Sequence, residues 1–412
     1  MQTQLAAWIK DTRAGREAEA ILRKCVHCGF CTATCPTYQL LGDELDGPRG
    51  RIYLIKQVLE GKPATEATQR HLDRCLTCRN CETTCPSGVQ YGRLLDIGRH
   101  EVERQVGRPL PARLARTALK EGLTSPLFAA ALAAGRALRP LLPAPLREKV
   151  PPRRPAGAWP ARTHARRMLL LEGCVQPALA PNINAATARV FDALGIELVR
   201  APDARCCGAI RYHLNDHAGG LRDARANIDA WWPHIEAGAQ AIVINASGCG
   251  AMVKDYGHLL ADDPAYADKA QRVAALAQDV AQALAGQADA LRAKMRHTQP
   301  ARVVFHPPCT LQHALKIRGE VEALLRALGA QLLPFSESHL CCGSAGTYSL
   351  LQPELATRLR DRKLAHLLSP QPEAILSANI GCIAHLQSGT GTPVRHWIEW
   401  VDERLASSAS SA

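Results

Sequence analysis

The sequence predicts a protein of mixed α+β and α/β class, in which a mainly helical N-terminal domain precedes two duplicated α/β domains with parallel sheets. Three observations support this prediction. A motif of four closely spaced cysteines occurs twice near the N-terminus, and a longer pattern of four cysteines occurs twice in the rest of the chain. In that later part, short apolar runs alternate with stretches of helical periodicity, as in βαβ units.

The length of 412 residues suits roughly two to four domains. We expect a cysteine-rich N-terminal domain, a helical segment with a basic proline-rich linker, two α/β domains and a short tail. Their expected ranges, in that order, are 1–110, 111–165, 166–298, 299–405 and 406–412. In a reducing compartment, the 16 cysteines are better explained as metal ligands or redox groups than as disulfides.

The two N-terminal motifs read CVHCGFCTATCP, starting at Cys25, and CLTCRNCETTCP, starting at Cys75. Both have the CxxCxxCxxxCP spacing of bacterial ferredoxins, in which three close cysteines bind one cluster and the fourth binds the other. This rule assigns a first 4Fe-4S cluster to Cys25, Cys28, Cys31 and Cys85. It assigns a second 4Fe-4S cluster to Cys75, Cys78, Cys81 and Cys35. The N-terminal domain is therefore predicted to be a ferredoxin-type domain with two 4Fe-4S clusters.

Zinc is the alternative occupant of these thiols, because it is commonly held by four thiolates from two CxxC pairs. Zinc gives no reason for three thiols at two-residue gaps and a fourth followed by proline, repeated in the same order. The spacing therefore favours iron–sulfur clusters. Between the motifs, a turn at Pro48 and Gly50 is expected to lead into a helix that stops at Gly61.

The other eight cysteines form an internal repeat. A single cysteine precedes a CCG sequence by 32 residues in both copies, and another cysteine follows later. The first copy contains Cys174, Cys206, Cys207 and Cys249. The second copy contains Cys309, Cys341, Cys342 and Cys382. Equal offsets of this kind indicate that one domain was duplicated.

Short apolar runs in the repeats predict β-strands, and amphipathic stretches between them predict helices. The predicted strands are Met168–Leu171, Ala241–Ile244, Arg302–Phe305 and Ala374–Leu376. Two of the predicted helices are Glu320–Leu328 and Pro353–Leu367. The single cysteines come just after strand ends, at the sheet edge where open α/β proteins form their sites.

The net charge of +12 is concentrated in one segment, 136–167, which has nine Lys or Arg and one acidic residue. Because this segment is also rich in proline, it is favoured as a solvated linker. The alternative is a basic docking strap for an acidic subunit or for anionic lipids. Nucleic-acid binding is disfavoured, since aromatic residues make up only 4% of the chain and few accompany the basic segment.

The N-terminal residues lack a basic start followed by an apolar run. The longest uncharged stretch in the basic middle region, Gly122 to Gly135, is too short to span a bilayer. We therefore expect a cytoplasmic protein, or one bound peripherally to the inner face of the cytoplasmic membrane. No GxGxxG motif follows a predicted strand, so this chain is expected to carry electrons for a partner rather than to bind a dinucleotide.

The two cysteine repeats resemble the CCG domains of heterodisulfide reductase subunits and of iron–sulfur subunits of flavin-linked dehydrogenases. The family pattern is Cys, then CCG, then CxxC. Met252 and His385 stand where the last cysteine of each copy would be. The resemblance implies that each copy could hold a further cluster or metal, with His385 as a substitute ligand like the imidazoles of Rieske centres. His306 and His313 are expected to be structural residues.

A closer resemblance covers nearly the whole chain. The stretches GPRGRIYLIKQVLEG, NIDAWWPHIEAGA, HLCCGSAGTY and VRHWIE, together with both N-terminal motifs, are similar to iron–sulfur subunits of bacterial glycolate oxidases. The resemblance implies a non-catalytic electron-transfer subunit of a flavin-dependent complex that oxidises glycolate to glyoxylate. Its partners would be flavin-binding subunits and a quinone or another membrane electron acceptor. The alternative is the equivalent subunit of a glycerol-3-phosphate, lactate or heterodisulfide oxidoreductase.

Overall fold

A computed structural model describes residues 1–141, 152, 154–296 and 300–406 of the chain. It has a helical N-terminal region followed by two parallel-sheet units, which confirms the predicted fold class. Residues 142–151 and 153 of the predicted basic linker, and all but the first residue of the predicted tail, lie outside the described residues. Within the described ranges, no helix is both long and apolar enough to cross a lipid bilayer.

The N-terminal region is built from short helices around the two cysteine motifs. In chain order, helices α1 to α9 span Ala7–Lys10, Arg13–Lys24, Pro36–Leu41, Pro48–Leu59, Glu66–Asp73, Asn80–Thr84, Tyr91–Val106, Leu110–Thr124 and Phe128–Ala137. Helix α4 confirms the helix predicted between the motifs. It begins at Pro48, so Gly50 lies inside the helix and not in a preceding turn. A Cβ atom on Gly50 would lie 2.1 Å from the Glu44 carbonyl oxygen, which explains a glycine at this helical position.

Helices α2, α4 and α7 bury their apolar faces against one another, and this core holds the cysteine motifs in place. Leu22, Ile55 and Leu94 are fully buried there, in one cluster with the thiols of Cys25 and Cys75. Helix α7 approaches α4 closely at Gly98, where a Cβ atom would lie 2.5 Å from the Ile55 side chain. The cysteine motifs are therefore fixed to a packed helical core at both ends.

The first α/β unit contains a four-stranded parallel sheet in the order β2-β1-β3-β4. Strands β1 to β4 span Arg166–Leu171, Ile196–Arg200, Ile242–Ile244 and Ala277–Asp279. Helices α10 to α17 span Gln176–Leu179, Pro181–Ala193, Ala209–His213, His217–Glu236, Ser247–Leu259, Ala267–Leu276, Val280–Ala283 and Ala288–Arg292. The predicted strands near 168 and 241 are the two central strands, β1 and β3.

The second unit repeats this topology with its sheet in the order β6-β5-β7-β8, again all parallel. Strands β5 to β8 span Arg302–His306, Gln331–Leu332, Ala374–Ser377 and Val394–His396. Helices α18 to α22 span Glu320–Ala327, Tyr348–Leu351, Pro353–Leu368, Ile380–Gln387 and Trp397–Asp402. The matching strand order shows that the repeated cysteine spacing reflects a repeated fold.

The two sheets meet through the residues that follow their central strands. The Ser247 backbone N–H donates to the Ala378 carbonyl at 3.1 Å, and His396 Nε2 lies 2.9 Å from the Asn245 carbonyl oxygen. The N-terminal region packs on both units: Arg79 pairs with Asp255 of the first unit at 2.9 Å. The Tyr348 hydroxyl of the second unit donates to the Arg74 carbonyl at 3.1 Å. This arrangement places the N-terminal cysteines beside the repeats.

Candidate iron–sulfur sites

The two N-terminal motifs fold in the same way between their cysteines. His27 and Gly29 have positive φ angles of 55° and 87°, and the equivalent residues Thr77 and Arg79 have φ angles of 54° and 56°. Positive φ is uncommon outside glycine and is frequently retained where function requires it. These paired left-handed turns curl each CxxCxxC segment around a common centre, so that its three thiols line the same cavity.

Each motif supplies three thiols to one cavity and its fourth thiol to the other. The first cavity is lined by the predicted ligands Cys25, Cys28, Cys31 and Cys85. The second cavity is lined by the predicted ligands Cys35, Cys75, Cys78 and Cys81. Cys81 borders both cavities, so the two sites are immediate neighbours. The structure thus brings together the two ligand sets that the ferredoxin spacing predicts.

The chemistry of both cavities fits iron–sulfur clusters. Their donors are thiols, and the remaining lining is mainly apolar or cationic, with Ile52 and Arg49 at the first cavity and Leu76 and Arg51 at the second. No carboxylate lines either cavity, so the hard oxygen ligands preferred by magnesium or calcium are missing from these linings. Burial raises the pKa of the Cys31 thiol to about 11, so that metal binding must displace its proton.

Buried polar groups surround the second cavity. Arg51 is fully buried, donates to the His71 carbonyl at 2.7 Å and pairs with Asp46 at 3.4 Å. Arg99 donates to the Cys75 carbonyl at 2.7 Å, and the Tyr91 hydroxyl approaches Cys75 Sγ at 3.6 Å. These contacts fix the backbone that carries the thiols. The two guanidinium groups would offset the negative charge of cysteine thiolates around the cavity.

The two cavities differ in exposure. Cys28 of the first cavity is exposed, and the flanking Val26 and Phe30 are 68% and 60% exposed. The four cysteines that line the second cavity are all buried. Burial and the neighbouring Cys309 thiol raise the pKa of Cys78. The first cavity therefore faces the surface, and the second lies at the junction with the second α/β unit.

The glycine of each CCG sequence is required by the backbone. Gly208 and Gly343 have φ angles of 89° and 90°. A Cβ atom would lie 2.5 Å from the Gly220 carbonyl oxygen at the first position and 2.5 Å from the Ala356 carbonyl oxygen at the second. The paired cysteines can therefore turn inward only when a glycine follows them.

In the first unit, the four repeat cysteines contact one another at the end of the sheet. A hydrogen bond to Cys206 raises the pKa of Cys174, and hydrogen bonds to Cys206 and Cys249 raise the pKa of Cys207. The Gly208 N–H also approaches Cys206 Sγ at 3.4 Å. Met252 is buried in the surrounding core. This unit brings together four thiols.

In the second unit, Cys309 Sγ and Cys341 Sγ are 3.8 Å apart, and Cys342 forms hydrogen bonds with Cys341 and Cys382. His385 Nε2 lies 3.1 Å from the Ala356 carbonyl oxygen. A ring nitrogen of His306 and the thiols of Cys342 and Cys382 all lie within 4.8 Å of one another. Sequence reasoning missed His306 as a member of this group. The available signal was its position three residues before Cys309, where the first copy has Leu171 before Cys174.

Two family profiles match the chain. The 4Fe-4S dicluster domain matches residues 21–89, which contain both N-terminal motifs. The cysteine-rich CCG domain matches residues 168–254 and 303–387, one match for each parallel-sheet unit. Iron–sulfur binding is therefore a property of the domains present in this chain.

Similar proteins extend the match to almost the full length. The glycolate oxidase iron-sulfur subunit of Escherichia coli (strain K12) is 58% identical over 98% of this chain and 99% of that protein. A probable glycolate oxidase iron-sulfur subunit of Bacillus subtilis (strain 168) is 31% identical over 91% of this chain and 90% of that protein. Lactate utilization protein A of Geobacillus thermodenitrificans is 27% identical over 54% of this chain and 92% of that protein. The thiol-lined cavities, the domain matches and the full-length similarity together show that this chain belongs to the family of glycolate oxidase iron–sulfur subunits.

Proposed function

We propose that this chain is the electron-transfer subunit of a flavin-dependent glycolate oxidase complex, and that it holds two 4Fe-4S clusters. The first would be bound by Cys25, Cys28, Cys31 and Cys85, and the second by Cys75, Cys78, Cys81 and Cys35. The observation that carries this proposal is the pair of adjoining thiol-lined cavities that share Cys81. When bound, such clusters accept and release electrons one at a time.

The oxidation of glycolate to glyoxylate releases two electrons, which flavin-binding partner subunits would accept together. In this chain, the exposed Cys28 and its apolar neighbours Val26 and Phe30 favour the first cavity as the side that faces an electron donor. The thiols of the second cavity are buried, with Arg51 and Arg99 beside them. This favours the second cavity as the site of the cluster farther from the electron donor. The role of the chain is thus to hold, space and shield the two centres.

The proposed acceptor is a quinone or another membrane electron acceptor. We therefore place the complex at the inner face of the cytoplasmic membrane, as a peripheral assembly. Nucleic acid is not among the proposed partners. The proposal also assigns no glycolate-binding residue to this chain, because the chemistry on the substrate belongs to the flavin partners.

A second candidate is the same role in a lactate-oxidising complex. It is favoured by the similarity between half of this chain and lactate utilization protein A. Glycerol-3-phosphate and heterodisulfide complexes are the remaining alternatives. The complex purified with its flavin subunits should be assayed with each donor in turn, and glycolate should give the highest quinone-linked rate.

The cluster assignment is tested on the full chain purified without oxygen. We expect about eight iron and eight acid-labile sulfide ions for the N-terminal domain, and EPR signals of two interacting 4Fe-4S clusters. Cys28→Ser and Cys78→Ser should each perturb a different signal. Zinc in place of iron, or unchanged quinone-linked glycolate oxidation by a complex that lacks this chain, would refute the proposal.

A further inference from the structure

His306 ends strand β5 and is completely buried, yet neither of its ring nitrogens has a hydrogen-bond partner among the described residues. Other buried histidines of the second unit do have partners. His313 Nε2 lies 3.0 Å from the His339 carbonyl oxygen, and His396 Nε2 lies 2.9 Å from the Asn245 carbonyl oxygen. A buried polar group without a partner is unfavourable, so we expect a bound group to interact with the imidazole nitrogens of His306.

The imidazole is placed next to thiols. One of its ring nitrogens lies within 4.8 Å of the thiols of Cys342 and Cys382. Cys342 in turn contacts Cys341, whose sulfur lies 3.8 Å from that of Cys309. Five potential metal donors therefore adjoin one another at the carboxyl end of the second sheet.

The first unit provides an internal comparison. Its strand β1 ends at Leu171, three residues before Cys174, just as β5 ends at His306, three residues before Cys309. Leu171 and His306 are both buried. Leucine satisfies this strand-end position by packing, so the fold itself does not require an imidazole there. The histidine is therefore a feature of the second site rather than of the shared architecture.

We propose that His306 is a metal ligand, and that it completes an iron–sulfur centre in the second unit together with Cys309, Cys341, Cys342 and Cys382. This inference deepens the proposed function and rests on it. Five adjoining donors exceed the four that a structural zinc ion takes, which favours a centre with more than one metal ion. Imidazole ligation of iron–sulfur centres has a precedent in Rieske proteins.

The position of the centre suits electron transfer. Cys309 and Cys341 belong to the same buried cluster as Cys78, which lines the second N-terminal cavity. A centre at His306 would therefore lie directly beyond the second cavity, on the side away from the exposed Cys28. The first unit has Leu171 at the equivalent position and offers four thiols without an imidazole, so the five-ligand centre is assigned to the second unit alone.

The test uses the full chain, purified without oxygen after growth with ¹⁵N-labelled histidine or unlabelled histidine. Electron spin echo spectra of the oxidised and reduced protein should show one centre coupled to a histidine nitrogen, and the coupling should change with the isotope. Iron should exceed the amount needed for two 4Fe-4S clusters. If the protein contains no nitrogen-coupled centre, no iron beyond these two clusters, or zinc at this site, the proposal is wrong. Because this measurement is made on the unaltered chain, it does not depend on the folding of a variant.

Variants then identify the ligand. His306→Leu, which copies the first unit, should abolish the nitrogen coupling and remove the additional iron while leaving both N-terminal cluster signals. His306→Cys should retain the additional iron without the nitrogen coupling, whereas His385→Leu should leave both unchanged. Loss of the coupling in His385→Leu but not in His306→Leu would overturn the assignment. Failure of the proposed function would appear differently, as missing N-terminal clusters or missing glycolate-dependent reduction.

Discussion

Cys78 of the N-terminal region and Cys309 of the second α/β unit lie in one buried cluster, although 230 residues separate them in the chain. The same cluster contains Leu76, Cys341 and Tyr348. The junction between the N-terminal region and the second unit is therefore buried and contains thiols from both sides. By contrast, Cys28 at the other cavity is exposed.

Limited exposure to oxygen should damage the first cluster before the second, because the first has an exposed thiol and the second has none. The measurement is EPR at successive times after air is admitted. Signals would be assigned with the Cys28→Ser and Cys78→Ser variants. Equal rates of loss for the two clusters would show that the exposure of Cys28 does not control access to the first cavity.

Replacement of Arg51 by methionine should destabilise the protein by about 3 kcal/mol, because it leaves the buried Asp46 carboxylate with fewer partners. Loss of the buried cation should also lower the reduction potential of the second cluster, since its reduced form carries more negative charge. Urea unfolding and a redox titration followed by EPR measure the two effects. Arg49→Met is the matched control: Arg49 forms a solvent-exposed ion pair with Glu44, so its loss should destabilise the protein much less than the loss of Arg51.

Replacement of Gly343 by alanine should destabilise the second unit by roughly 2 kcal/mol or more, because the residue has positive φ and its Cβ would meet the Ala356 carbonyl. Displacement of Cys341 and Cys342 should also reduce metal binding at that site. Urea unfolding and metal analysis measure these effects. Gly391→Ala is the control, since Gly391 has open space around its Cβ position. Similar stability of the two variants would show that the CCG turn tolerates a side chain.

Asp279 at the end of β4 should make stability depend on pH. Burial raises its pKa from 3.8 to about 7, so between these values the folded protein holds a proton that the unfolded chain has released. The contribution of Asp279 to the free energy of unfolding should therefore fall as pH rises from about 4 to about 7. Asp279→Asn keeps a capping oxygen and should remove this contribution. Urea unfolding at several pH values should show the variant gaining stability relative to the native protein over this range; a constant difference would contradict the prediction.

The sequence was sufficient to predict the central strands, because they depend on local patterns; the assignment of the eight N-terminal thiols to two clusters stays a prediction. Strands β1, β3, β5 and β7 each contain a short apolar run, and the ferredoxin spacing proposes thiols that the structure does group around two cavities. The edge strands were not predicted, and the two-residue strand Gln331–Leu332 shows why: pairing with β5, not local composition, makes it a strand.

The position of His306 beside the CCG thiols could not be predicted for a similar reason. It lies next to Cys342 and Cys382 only because β5 and β7 are adjacent in the sheet and the CCG turn folds back over their ends. In the sequence, His385 was the more natural candidate, since it occupies the position of the missing cysteine. A comparison of the equivalent strand ends in the two copies, Leu171 in the first and His306 in the second, would have pointed to His306.

The crossing of the two N-terminal motifs, in which each lends its last thiol to the cavity of the other, has a consequence for assembly. With ligands drawn from both motifs, neither half of the domain can retain its own inorganic core in isolation. Cluster binding would crosslink two segments that are 50 residues apart in the chain. The two clusters should therefore assemble cooperatively, and removal of one cluster should weaken the binding of the other.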